Sequence, residues 1–170
     1  MAHAVIRTDK MFGTDNRTGL CSLKFFTGSG DNKTAAAIDN GNVVLLGGLI
    51  DGEREIYEAG AVAAGSDINK VVIVATPEVS ACPLDYPIDK FENEAGKAAR
   101  GYYLTPNSIF SVTKDALSGA ASPAVGNLVE LAAGTKLKVV ASATSGSTQV
   151  GKIIAVETVG RFTFYVIQVN

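Results

Sequence analysis

Residues Val43 to Ile50 (VVLLGGLI) are apolar or glycine at every position, and this run restricts the fold more than any other part of the chain. Strand side chains alternate between two faces, so a strand apolar on both has to be covered on both. The paired glycines Gly47 and Gly48 mark a bulge or a close backbone approach within it. Ahead of the run, Asp39-Asn40-Gly41-Asn42 is a turn signal, because Asn and Gly tolerate positive φ. Behind it, Asp51-Gly52 predicts a hairpin. The return strand, Glu53 to Ala59, sets Glu53, Glu55 and Tyr57 on one face and Arg54, Ile56 and Glu58 on the other. Val71 to Ala75 (VVIVA) is a second core strand, bounded by Ser66 to Lys70 and by Thr76-Pro77-Glu78.

The rest of the chain supports an all-β reading. Of the 170 residues, 46% are apolar and 19% charged, which is the composition of a globular chain and not a disordered one. Frequent glycine and β-branched residues, with no tryptophan, point to many short strands and turns. Residues 1–34 are punctuated by turn signals, and only Leu20 to Phe26 reads as a strand. This segment is expected to be an extended amino-terminal arm, ordered in part by a partner. Residues 35–115 form a β-rich body. Within it, residues 83–101 lose the two-residue period; Pro83 and Pro87 exclude a regular ladder, and Gly96 weakens a short helix near Phe91 to Ala99. Lys114 to Pro123 is small and flexible and reads as a linker into residues 116–170. These residues continue as a compact β subdomain with strands in 125–132, 136–140, 151–158 and 161–169. The expectation is thus a small β-sandwich or barrel body with an extended amino-terminal arm and little helix.

Charge and motifs exclude several function classes. The formal net charge of −2 is unevenly spread: residues 1–34 hold five Lys/Arg against three Asp/Glu, residues 35–115 six against twelve, and residues 116–170 four against two. An acidic body between mildly basic ends disfavours direct nucleic-acid binding and suits contact between copies or docking on another protein. Cys21 and Cys82 lack metal-ligand spacing and read as buried, reduced thiols, with a disulfide between them as the alternative. The start MAHAVIRTDKMFG has no apolar leader core, and no run approaches the roughly 20 apolar residues that span a bilayer, so no membrane partner is expected.

His3 is the single histidine and lies in the arm, which removes the usual triads and histidine-based metal sites from consideration. GSGDNK at 28–33 has two of the three dinucleotide-binding glycines but no following helix pattern. The pairs Glu53/Glu55 and Glu92/Glu94 read as solvated or interface faces, with Arg54 and Arg100 as candidate salt-bridge partners. Tyr102, Tyr103, Phe110, Phe162, Phe164 and Tyr165 read as core, since only Arg161 interleaves with them. No catalytic residue, cofactor or metal is expected.

The segments NGNVVLLGGLIDGEREIYEAG at 40–60, VVIVATPEV at 71–79 and ARGYYLTPNSIFSVT at 99–113 resemble small auxiliary head proteins of tailed phages, called decoration or cement proteins. The resemblance spans most of the chain and carries no residue-level motif. It implies a virion protein, assembled in the host cytoplasm, that binds the major capsid protein on the outer capsid surface and stabilises the shell, often as a homo-oligomer such as a trimer. The expected contact residues are then Arg7, Lys10 and Arg17 on the arm, Glu53, Arg54, Glu55 and Tyr57 on the charged return strand, and Phe91 and Arg100 in the excursion. A tail, head-completion or fibre-base protein is the neighbouring alternative. A carbohydrate-binding β module or small hydrolase is the alternative of another class, with the missing tryptophan counting against it.

Overall fold

The structure is a computed structural model that describes residues 3–8, 19–79 and 88–170. Among these residues twelve strands form two six-stranded sheets, and no α-helix occurs. The first sheet holds β1 (Leu20–Thr27), β2 (Thr34–Ala35), β3 (Val43–Leu49), β4 (Ile56–Gly60), β5 (Val71–Val74) and β6 (Ala99–Tyr103). Its order is β2-β1-β4-β3-β5-β6, and β1 also pairs with β6, so five strands close into a barrel with β2 attached to β1. The second sheet holds β7 (Ile109–Thr113), β8 (Leu117–Gly119), β9 (Leu128–Glu130), β10 (Leu137–Val140), β11 (Gln149–Val159) and β12 (Phe162–Val169). It runs β7-β12-β11-β9-β10-β8 and is curled into a half-barrel. The all-β barrel or sandwich expected from the sequence is therefore the observed class.

Strands β3 and β5 are apolar on both faces because they are the wall between two cores. Val44, Leu46, Val72 and Val74 point into the barrel with Leu23, Phe25, Ala59 and Ala99. Val43, Val71 and Ile73 point the other way and pack with Phe110, Val112, Val129, Leu137, Ile153 and Ile167 of the second sheet. Burying each such side chain contributes roughly 1.5–3 kcal/mol, so alternate residues of one strand hold two layers together. The two β regions share this outer core.

The predicted hairpin is present, but its return strand begins at Ile56 and not at Glu53, because Glu53 to Glu55 still belong to the turn and bend that follow Asp51-Gly52. β3 and β4 pair antiparallel, and their register shifts between Leu46 and Leu49, where Gly47 and Gly48 form the irregularity. Gly41 takes φ 84° in the preceding turn and lies so close to the second sheet that a Cβ there would stand 3.2 Å from both Val112 and Ala116. The chain crosses between sheets at Thr105 to Asn107; Asn107 adopts φ 66°, and its N–H donates to the Val169 carbonyl at 3.1 Å.

Three further expectations need correction. The described part of residues 1–34, residues 3–8 and 19–34, packs on the body and is not an extended arm. Ala4, Val5 and Ile6 are buried, Ile6 forms a bridge with Val112, and the Thr113 N–H donates to the Val5 carbonyl at 2.9 Å. β1 is the strand that closes the barrel, because Leu23 and Phe25 alternate into its interior. The rest of that expected arm, residues 1–2 and 9–18, lies outside the described residues. The excursion at 83–101 is shorter than predicted: residues 80–87 lie outside the described residues, Asn93 bridges Ile38, and β6 begins at Ala99. No helix spans Phe91 to Ala99, where Gly96 takes φ 77°, a left-handed conformation that a helix excludes. The expected linker at 114–123 is structured in its first part, since Leu117–Gly119 pairs parallel with β10, and irregular from residue 120 on.

Candidate functional site

The strand that closes the barrel also builds a polar cleft. β1 lies between β4 and β6: Ser22 is in register with Ile56 on one side and with Arg100 on the other, and Cys21 is opposite Gly101. Leu20, Cys21 and Ser22 of β1, Glu55 in the bend before β4, Tyr57 of β4, and Arg100 and Tyr103 of β6 line a cleft of about 500 Å³. Gly101 makes room at its base. A Cβ there would lie 2.8 Å from Leu23 Cδ2, 2.9 Å from Cys21 Sγ and 2.9 Å from Val72 Cγ2. Tyr103 also lines a second cleft of about 340 Å³ with Ile68, Leu104 and Pro106, so its ring lies between a polar and an apolar hollow.

Burial controls the ionisable groups in the cleft. The Cys21 thiol is pushed up to about 11 by burial, against a smaller lowering by its hydrogen bond with the Gly101 backbone. A nucleophilic cysteine requires the thiolate, so at neutral pH Cys21 is a small apolar filler. The Tyr103 phenol is also raised, first by burial and then by the neighbouring Cys21 and Tyr57. Around these neutral groups stand Glu55 and Arg100, both exposed. Among the described residues neither makes a salt bridge. The cleft thus offers one anion, one cation and two phenol rings to whatever lies against it.

The structure brings three of the predicted contact residues together here: Glu55, Tyr57 and Arg100. It does not bring the others. Glu53 pairs with Lys24, Oε1 to Nζ 3.5 Å, and Arg54 is exposed without lining the cleft. Arg7 lies over the Phe164 ring, 5.8 Å from its centroid, on the second sheet. Phe91 is half-buried beside the turn at Ile88–Lys90. Lys10, Arg17 and Cys82 lie outside the described residues. The sequence reading missed Leu20, Cys21, Ser22 and Tyr103 as lining residues. Strand alternation carried the signal for Tyr103: of the adjacent tyrosines only Tyr102 enters the shared core.

His3 is held in place. Its N–H donates to the Asp89 carbonyl at 2.9 Å, and its Nδ1 stands 2.7 Å from Asp39 Oδ1. With Glu92 it forms a cluster whose ligand atoms all lie within 4.8 Å of one another. No family model, curated protein or solved structure matches the chain.

Proposed function

We propose that the chain is a non-catalytic structural protein that docks on a protein shell through the barrel cleft, in the manner of a capsid decoration protein. The observation that carries this reading is the convergence of Glu55, Tyr57, Arg100 and Tyr103 on one open cleft. Tyrosine and arginine dominate the binding energy of protein interfaces, because each covers large apolar area while keeping a polar end satisfied. The unpaired charges at the cleft supply register for a complementary partner. The phage-head resemblance of the segments around β3 to β7 supplies the partner class, the major capsid protein, with further copies of the chain as neighbours on the particle surface.

Particles assembled with the wild-type chain and with Tyr57→Ala/Arg100→Ala test the reading. Cryo-electron microscopy should show density on the outer shell for the wild type. The double variant, folded as judged by thermal melting, should lose occupancy, since truncating an anchor typically costs at least about 2 kcal/mol, or roughly 30-fold in affinity. Full occupancy by the variant, or no density for the wild type, sinks it.

One observation favours a second reading: two tyrosines on an open polar cleft also suit a sugar ring. A glycan array in which binding is lost with Tyr103→Ala would establish that reading in its place.

A further inference from the structure

We propose that His3, Asp39 and Glu92 bind one divalent metal ion of borderline character, with zinc as the type, and that the ion staples the amino-terminal segment across the junction of the two sheets. This site is separate from the barrel cleft and does not depend on the docking reading.

Three chain segments converge to make it. Ile38 and Asn93 form an antiparallel bridge, with Ile38 N–H to Asn93 O at 3.0 Å and Asn93 N–H to Ile38 O at 2.9 Å. Antiparallel register makes Asp39 and Glu92 the next facing pair. The Asn93 side chain reinforces the bridge, its Nδ2 donating to the Ile38 carbonyl at 2.9 Å and to Asn40 Oδ1 at 3.1 Å. His3 reaches the same point from the second sheet. Ala4 to Ile6 are buried in the shared core, His3 N–H is bonded to Asp89 O, and Ala4 N–H points at Asp39 Oδ2 at 3.5 Å.

The donor set has the right chemistry. One imidazole nitrogen and two carboxylate oxygens suit zinc and its first-row neighbours, whereas calcium and magnesium prefer oxygen alone. Bonds of about 2.0–2.2 Å to a shared ion place ligand atoms roughly 3–3.5 Å apart. The His3–Asp39 pair, at 2.7 Å, therefore opens by a few tenths of an ångström, and Glu92 closes in from within 4.8 Å. Glu92 is free to do so: it is exposed, and among the described residues it makes no hydrogen bond or ion pair. Two carboxylates this close repel each other, and a divalent cation converts that repulsion into attraction. Three protein ligands leave the remaining coordination positions to water.

The test uses the full chain without an added affinity tag, stripped with a chelator. Calorimetric titration with Zn²⁺ should give one equivalent, Co²⁺ should produce a visible ligand-field spectrum, and Zn²⁺ should raise the melting temperature. Glu92→Gln leaves the fold intact, because its side chain is exposed and unpartnered, and should weaken Zn²⁺ binding at least tenfold. His3→Gln should abolish both the binding and the Co²⁺ spectrum. Wild-type affinity in both variants overturns the site. So does binding that depends on His3 alone, binding that disappears with Cys21→Ser, or no uptake at 100 μM Zn²⁺.

Discussion

Gly101→Ala probes the closure of the barrel and the cleft above it in one substitution. The added methyl meets Leu23 Cδ2 at 2.8 Å, Cys21 Sγ at 2.9 Å and Val72 Cγ2 at 2.9 Å, all closer than carbon and sulfur normally approach. Leu23 and Val72 are both 0% exposed, so neither can swing into solvent, and the strain passes to the β1–β6 pairing. Overpacking a filled core costs about 1–3 kcal/mol, and three simultaneous contacts place this case near 2–3 kcal/mol. For a chain of this length that is a melting-temperature loss of roughly 4–12 °C. Urea unfolding measures the free energy directly. Val72→Ala, which removes one of the three obstructing atoms, alone leaves a cavity and is destabilising by about 2 kcal/mol. In the double variant the new methyl and the missing one offset each other, so the combined loss should fall short of the sum by about 1 kcal/mol. Strict additivity, or a Gly101→Ala protein within 0.5 kcal/mol of wild type, would refute the claim that this glycine is required by close packing inside the barrel.

Two further outcomes follow from buried ionisable groups. Cys21, with its thiol pushed up to about 11, should react with iodoacetamide at pH 8 at roughly a thousandth of its limiting rate, rising tenfold per pH unit toward that value; labelling kinetics by mass spectrometry check this, and a plateau reached by pH 8 would contradict it. Burial raises the Glu78 carboxyl above its ordinary 4.5, against a hydrogen bond from Asn40 that lowers it. Between those two values the folded chain holds a proton that the unfolded chain has released, so this group's contribution to stability falls as pH rises through that window. Glu78→Gln, which keeps an acceptor for Asn40, should flatten that part of the melting profile and leave the protein at least as stable at pH 7; a loss at pH 7 that vanishes below pH 4 would show that the carboxylate is favoured by folding.

What was legible in the sequence is what local chemistry determines. Val43 to Leu46 and Val71 to Ala75 announced two-sided burial because every position is apolar, whereas Gly47 to Leu49, which the same reading would bury, are exposed beyond the irregularity; that irregularity and the Asp51-Gly52 turn lie where residue type alone puts them. The hairpin between β11 and β12 was equally readable. The barrel was not, because its closing strand pairs parallel with β4 and antiparallel with the distant β6, and neither pairing leaves a turn signal. Ala4 to Ile6 carry no strand signal of their own, because three apolar residues are too few to display a period. Their burial depends on Val112 and Thr113, more than a hundred positions away.

The two candidate sites differ in the same way. Part of the cleft was visible because Glu55 and Tyr57 are two apart in the segment read as the return strand, although β4 itself begins at Ile56 and Glu55 stands in the bend before it. His3, Asp39 and Glu92 share no element, and their meeting depends on a single bridge and one backbone hydrogen bond. A ligand set assembled in this way has no sequence spacing to read; a lone histidine near a terminus becomes a candidate ligand only when the fold brings carboxylates to it. Shared packing of the two sheets makes that possible, since the segment carrying His3 is fixed by the outer core while both carboxylates are fixed by the Ile38–Asn93 bridge. An ion bound there would link two parts of the molecule that are already packed together, so its effect should be greatest on opening of the amino-terminal segment and small on the barrel interior. Hydrogen exchange with and without Zn²⁺ distinguishes these: protection gained at Val5 and Arg7, with Val72 and Val74 unchanged, is the pattern a staple produces, and uniform protection is the pattern it does not.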